Sequence, residues 1–83
     1  MAFQLEFKPK AVKDLDKLPT EMAGRVIQKL ESLRSGLKSG DVKRLTNFSP
    51  EYRLRVGDYR ALFEVEGTSI VVYRVIHRRE AYR

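Results

Sequence analysis

Cysteine is absent from this chain, and histidine occurs once, at position 77. No disulfide can staple the fold and no thiolate can hold zinc, so stability rests on packing alone and a reducing compartment suits the chain. A single histidine without cysteine also argues against a transition-metal site. No apolar run approaches the roughly 18 residues of a membrane span. The opening residues, M-A-F-Q-L-E-F, place a glutamate where a secretory leader needs an unbroken apolar stretch. The five glycines are scattered, mostly at predicted turns, and form no phosphate-cradling loop. No serine stands in a nucleophile-elbow pattern, and no carboxylate pair offers itself to a metal-dependent nuclease. These absences predict a cytoplasmic protein with no metal, no cofactor and no membrane contact.

What is present is charge. The 83 residues carry 17 Lys and Arg against 11 Asp and Glu, a net charge of +6, which draws polyanions through long-range attraction and counterion release. Residues 1–41 hold eight basic and six acidic side chains, and six of those eight cations are Lys. Residues 42–83 hold nine and five, and eight of the nine are Arg. The planar guanidinium grips phosphate with two parallel hydrogen bonds and stacks on bases, which the hydrated ammonium does less well. Phosphate contacts are therefore expected in the second half. A chain this short forms one domain, residues 1–83, that buries only about 60 to 65% of its unfolded surface. It contains no internal repeat and no low-complexity tract.

Periodicity orders the elements. Residues 3–7, F-Q-L-E-F, alternate as a short half-buried strand. Pro9 suits the first turn of a helix that places Ala11, Leu15 and Leu18 on one side, and Pro19 stops it. Thr20 is a candidate N-cap for a second helix with an apolar stripe of Met22, Val26, Leu30, Leu33 and Leu37. So short a connection makes the two helices an antiparallel hairpin. Residues 38–51 read as a loop pinned by Val42, Leu45 and Phe48. Residues 52–56 and 59–66 alternate as strands around a Gly57-Asp58 turn, and residues 70–77, apolar on both faces, read as a central strand. The predicted fold is α+β, in the order β-α-α-β-β-β, with the helical hairpin on one face of a small, mostly antiparallel sheet.

Strand parity then sends Arg53, Arg55 and Arg60 to the face away from the apolar core. Adjacent strands lie about 4.8 Å apart, close enough for three guanidiniums to meet on one phosphate. The alternative is a merely solvated sheet face, which Glu64 and Glu66 support by alternating the sign of charge, although like charges on adjacent strands repel. Behind the last strand, H-R-R-E-A-Y-R gathers His77, Arg78, Arg79 and Tyr82. His77 has two readings: a structural histidine at a strand end, or a proton-transfer group, since histidine is the residue type that changes charge near neutral pH. Tyr82 likewise reads either as a core plug or as a base-stacking, hydrogen-bonding platform.

The early F-x-L-x-F strand, the A-V-K-D-L-D-K-L helix, Y-R-L-R-V-G-D-Y-R-A-L-F-E-V and the close V-I-H-R-R-E-A-Y-R together resemble the RelE/ParE superfamily of toxins from prokaryotic toxin–antitoxin modules, the RelE branch more than the ParE branch. The resemblance covers nearly the whole chain. It implies a ribosome-dependent mRNA endonuclease that cuts codons in the ribosomal A site and is neutralised by a cognate antitoxin. Carried over, the basic pair on one strand falls on Arg53 and Arg55, the next strand's arginine on Arg60, the late arginine on Arg78 and the tyrosine on Tyr82, with Arg79 able to exchange with Arg78. The best-known RelE proteins have lysines where this chain has Arg53 and Arg55, and arginine, with a pKa above about 12, is a poor general base.

Metal-free RNA cleavage needs a base for the 2′-hydroxyl, cations around the phosphorane and an acid for the leaving 5′-oxygen. On this reading Arg60 and Arg78 stabilise charge, Arg53, Arg55 and Arg79 grip the RNA backbone, Tyr82 orients the nucleotide and His77 moves the proton. Two other functions compete: a ParE-like, non-catalytic poison of DNA gyrase, and a small non-toxic RNA-binding module. The basic chain suits an acidic, partly disordered, RelB-like antitoxin that folds on binding.

Overall fold

A computed structural model describes residues 2–81. The elements run β1 (Gln4–Phe7), α1 (Pro9–Asp16), α2 (Thr20–Ser32), a single 3₁₀ turn (Leu33–Ser35), β2 (Val42–Arg44), β3 (Tyr52–Val56), β4 (Tyr59–Glu66), β5 (Ser69–His77) and α3 (Arg78–Ala81). One sheet of order β1-β5-β4-β3-β2 holds all five strands; β1 lies parallel to β5 and every other pair is antiparallel. The α+β class and the helical pair over one sheet face stand as expected from the sequence.

The alternation of β3 and β4, interrupted only by Leu62, explains why their observed bounds coincide with the apolar–polar pattern. Leu54, Val56, Ala61 and Phe63 are buried together with Ile70, Val72 and Val75 of β5. Ala11 of α1 and Val26 and Leu30 of α2 close the same core from above. Gly57 takes φ 58° at the β3–β4 turn, a conformation in which a side chain would be strained.

Several local expectations change. Thr20 is the first residue of α2 and makes no capping bond; the helix follows Pro19, whose carbonyl accepts the Ala23 N–H at 3.0 Å. The α-helix ends at Ser32, so Leu33 is buried from the 3₁₀ turn and Leu37 packs from beyond Gly36. Residues 38–51, expected as a loop, contain β2, which pairs Val42, Lys43 and Arg44 with Leu54, Arg53 and Tyr52. After His77 the chain turns into α3, folding onto the sheet face that the long helices leave open.

Two irregularities on β5 matter for function. Leu62 pairs with Arg74 and Phe63 with Val72, so Tyr73 has no partner on β4. Such a bulge adds one residue to a strand and re-aims its side chains; here Tyr73 and Arg74 both leave the core face. Beyond the end of β1, Asp14 closes the open edge of β5. Its carboxylate accepts the Val75 N–H at 2.9 Å and takes both Arg74 Nε and Nη2, at 2.8 and 3.1 Å.

Burial pushes the Asp14 carboxyl up, and this is the largest single influence. The bonds from Arg74 and Val75, with the charges of Arg74 and Lys17, outweigh it and hold the carboxyl below its ordinary value. A depressed native value means that Asp14 contributes stability present above the unfolded carboxyl's pKa, near 3.9, and lost as pH falls through the lower native value. The side chain is 13% exposed, so solvent screens these bonds only partly. Replacing Asp14 with Ala should cost about 2 kcal/mol at pH 7, read from urea unfolding, and should flatten the acid limb of the stability profile.

Candidate functional site

The sheet face opposite α1 and α2 is where the cations meet. Cross-strand neighbours share a face, so the pairings Lys43–Arg53 and Arg55–Arg60 put all four side chains on that outer surface. With Gly40 and Asp41 they line a pocket of about 170 Å³. Arg53, Arg55 and Arg60 are thus brought together as strand parity predicts.

Arg60 is not the surface residue that parity alone implies. It is 7% exposed, and its Nη1 donates to the carbonyls of Gly57 and Tyr59 at 3.0 and 2.9 Å. The β3–β4 turn therefore fixes its head group at the pocket floor. Arg55, by contrast, has a 64% exposed side chain and reaches Asp41 Oδ1 through Nε and Nη2 at 3.2 and 2.8 Å. Lys29 of α2 holds the other Asp41 oxygen at 2.7 Å. The Lys29 bond, then that from Arg55, keeps the Asp41 carboxyl below its ordinary value. An ionised Asp41 can release Arg55 to a phosphate and still keep Lys29 as its counterion.

The tail folds across this face. The Arg78 N–H donates to the Asp58 carbonyl at 2.7 Å, and Arg53 Nη2 donates to the Ala81 carbonyl at 3.1 Å. Between these ties α3 crosses β4 and β5, leaving Arg78 and Arg79 exposed. Arg78 Nε lies 4.0 Å from Asp58 Oδ1 at the rim of the turn, and Arg78 is not among the described residues lining the arginine pocket. Tyr82 lies outside the described residues.

His77 is placed differently from expectation. It pairs with Tyr59, which pairs with buried Val56, so strand alternation turns it toward the helix-covered side, opposite Arg55 and Arg60. Its ring meets Tyr59 edge-on at 5.5 Å, and Nδ1 accepts the Arg79 N–H at 3.2 Å. A proton-transfer role in the arginine pocket does not fit this position. The run 70–77 is apolar on both faces, so sequence alone could not assign His77 a side.

Sequence reasoning missed Lys43 and Asp41. Both depend on β2, whose three residues are too few for alternation to register. Among the described residues no three His, Cys, Asp or Glu side chains gather to hold a metal ion, and no helix is long and apolar enough to cross a membrane.

A sheet whose open face gathers a lysine and three arginines in one pocket is a concentrated cationic surface with the chemistry to bind an anion. Residues 5–82 match the family model of the ParE toxin of type II toxin–antitoxin systems. The chain is 33% identical over 75 residues to toxin RelE3 of Methanocaldococcus jannaschii, covering 86% of this chain and 85% of that protein. The toxin of a RelB–RelE antitoxin–toxin complex from Methanococcus jannaschii superposes with a TM-score of 0.77 at 32% identity, over 93% of this chain and 94% of that one. A free, mutated Escherichia coli RelE shares the fold at a TM-score of 0.83 and 20% identity, over 99% and 90% of the two chains. The chain belongs to the RelE/ParE superfamily of toxins of type II toxin–antitoxin systems.

Proposed function

We propose that this toxin is a ribosome-dependent mRNA endonuclease, cutting the codon in the A site and so stopping translation in the cytoplasm. The observation that carries the reading is the convergence of Lys43, Arg53, Arg55 and Arg60 on one pocket. Attack by the neighbouring 2′-hydroxyl, whose proton passes to water, forms a P–O2′ bond and a dianionic phosphorane from a monoanionic diester. The P–O5′ bond then breaks as the 5′-oxygen takes a proton from water. Fixed cations therefore bind the transition state more tightly than the substrate. Arg60, held by two carbonyls, is pre-aimed for that charge. Arg53 and Lys43 grip the backbone, and Arg55 exchanges Asp41 for a phosphate oxygen. Arg78 and Arg79 meet the RNA at the rim, and Tyr82 stacks on the nucleotide.

His77 receives no step, since its face is the wrong one, and His77→Gln should keep full single-turnover activity. Alignment of the 2′-hydroxyl with the scissile phosphate falls to the ribosome, and such orientation can supply several kcal/mol. Between cuts, an acidic, RelB-like antitoxin covers the basic face; the Methanococcus jannaschii neighbour is the toxin of such a pair.

The ParE name of the matching model favours a second reading, a poison of DNA gyrase that acts by protein contact alone. Mapping mRNA 5′ ends in cells after induction, with and without the antitoxin, separates the two. The endonuclease gives new, codon-phased ends in translated regions that vanish with the antitoxin. Gyrase-dependent DNA breaks without new mRNA ends would establish the poison instead.

A further inference from the structure

A second pocket opens beside the β5 bulge. Lys8, Pro9 and Lys10 at the start of α1, Pro50 from the β2–β3 loop, and Tyr73 and Arg74 from the bulge line a slot of about 540 Å³. Its walls are mainly apolar and its rim is cationic. The bulge turns two successive β5 residues into it, and polar contacts hold both. The Tyr73 hydroxyl donates to Glu66 Oε2 at 2.7 Å, while the Lys8 ammonium sits 5.5 Å from the ring centroid. Arg74 is locked by its two bonds to Asp14. The ring is therefore oriented before any ligand arrives.

We infer that this slot takes one nucleobase of the RNA strand whose cleavage site lies in the arginine pocket. The inference rests on the endonuclease reading and adds a subsite to it. A flat aromatic ring in a slot that two prolines also line offers an apolar face on which a base of any sequence stacks, and Lys8 over the ring, with Lys10 in the same slot, neutralises the phosphates flanking that base. Arg74 pairs with Leu62 and so leaves the core face as Arg53, Arg55 and Arg60 do, and α3 continues from the end of the same strand with Arg78 and Arg79 exposed. Glu66 marks the edge of the slot that phosphate avoids, so the strand enters from the side of Lys8 and Lys10. An acidic peptide would meet the same lysines, but it brings no base to stack on the Tyr73 ring.

The test is fluorescence anisotropy of a labelled 2′-O-methyl RNA dodecamer, which cannot be cleaved, binding to the full chain across a salt series. Tyr73→Phe keeps the ring and should bind as the parent does. Tyr73→Leu keeps apolar volume without a stacking face and should weaken binding about tenfold. Lys8→Gln and Lys10→Gln should each flatten the log–log salt dependence by about 0.7. Parental binding by Tyr73→Leu overturns the subsite, as does equal weakening by Tyr73→Leu and Tyr73→Phe, which would trace the effect to the Glu66 bond. Slot variants that lose only the antitoxin would make it a peptide site and also overturn the proposal. Absence of RNA binding by the parent chain would also overturn the subsite, while the endonuclease reading, in which the ribosome presents the mRNA, stands or falls on the mapping of mRNA 5′ ends.

Discussion

Replacing Arg60 with Ala should reduce single-turnover mRNA cleavage on ribosomes by about 10² to 10³, the loss typical of removing one pre-aimed donor to a developing oxyanion. The reasoning starts from burial. Arg60 is 7% exposed, and its two bonds to turn carbonyls already fix its head group, so little reorganisation accompanies the rise of phosphorane charge. The same bonds mean that the substitution also touches stability, by about 1 to 2 kcal/mol, because two carbonyls lose a charged donor. Arg60→Lys discriminates between the two effects. It keeps the charge but not the planar fork, so it should recover part of the rate without restoring both carbonyl bonds. Parallel thermal melts then divide lost chemistry from lost fold. Full activity of Arg60→Ala would remove this residue from the site.

The largest effect on stability is expected at Phe63. Its side chain is fully buried, and the Tyr52 ring stacks on it at a centroid distance of 5.2 Å and 11° between planes. Truncation to Ala removes most of a large core side chain and leaves a cavity, costing about 3 to 5 kcal/mol. A domain of this size begins with a stability toward the low end of the usual 5 to 15 kcal/mol. Circular dichroism should therefore show Phe63→Ala largely unfolded at 37 °C, and a toxicity assay should show it harmless for that reason alone. It serves as the unfolding control for every site variant. A melting temperature within a few degrees of the parent would mean that the core closes differently around Tyr52.

How far the sequence could be read depended on pattern length. β3 and β4 were legible because their residues alternate around Gly57-Asp58, broken only at Leu62, and the same alternation placed Arg53, Arg55 and Arg60 on one face. β2 was not legible: three residues carry no period, and with it went Lys43, the fourth cation of the pocket. β5 was legible as a strand but not in its register. A run apolar on both faces shows neither which side His77 takes nor that a bulge frees Tyr73. Local pattern also says nothing about depth, so Arg60 looked like a surface residue until the turn carbonyls were seen to hold it. The Asp14–Arg74 pair joins residues 60 positions apart, a tertiary fact with no sequence signal.

The central claim is that the arginine pocket cuts mRNA only where the ribosome presents it. The most direct measurement incubates the purified protein with ribosomes halted on a defined mRNA with an empty A site, and maps 5′ ends by primer extension beside the same mRNA without ribosomes. The account predicts one new end inside the A-site codon, lost in Arg60→Ala and kept in His77→Gln, with the naked mRNA intact. Intact mRNA on active ribosomes, or cleavage of naked RNA without codon phasing, would contradict it.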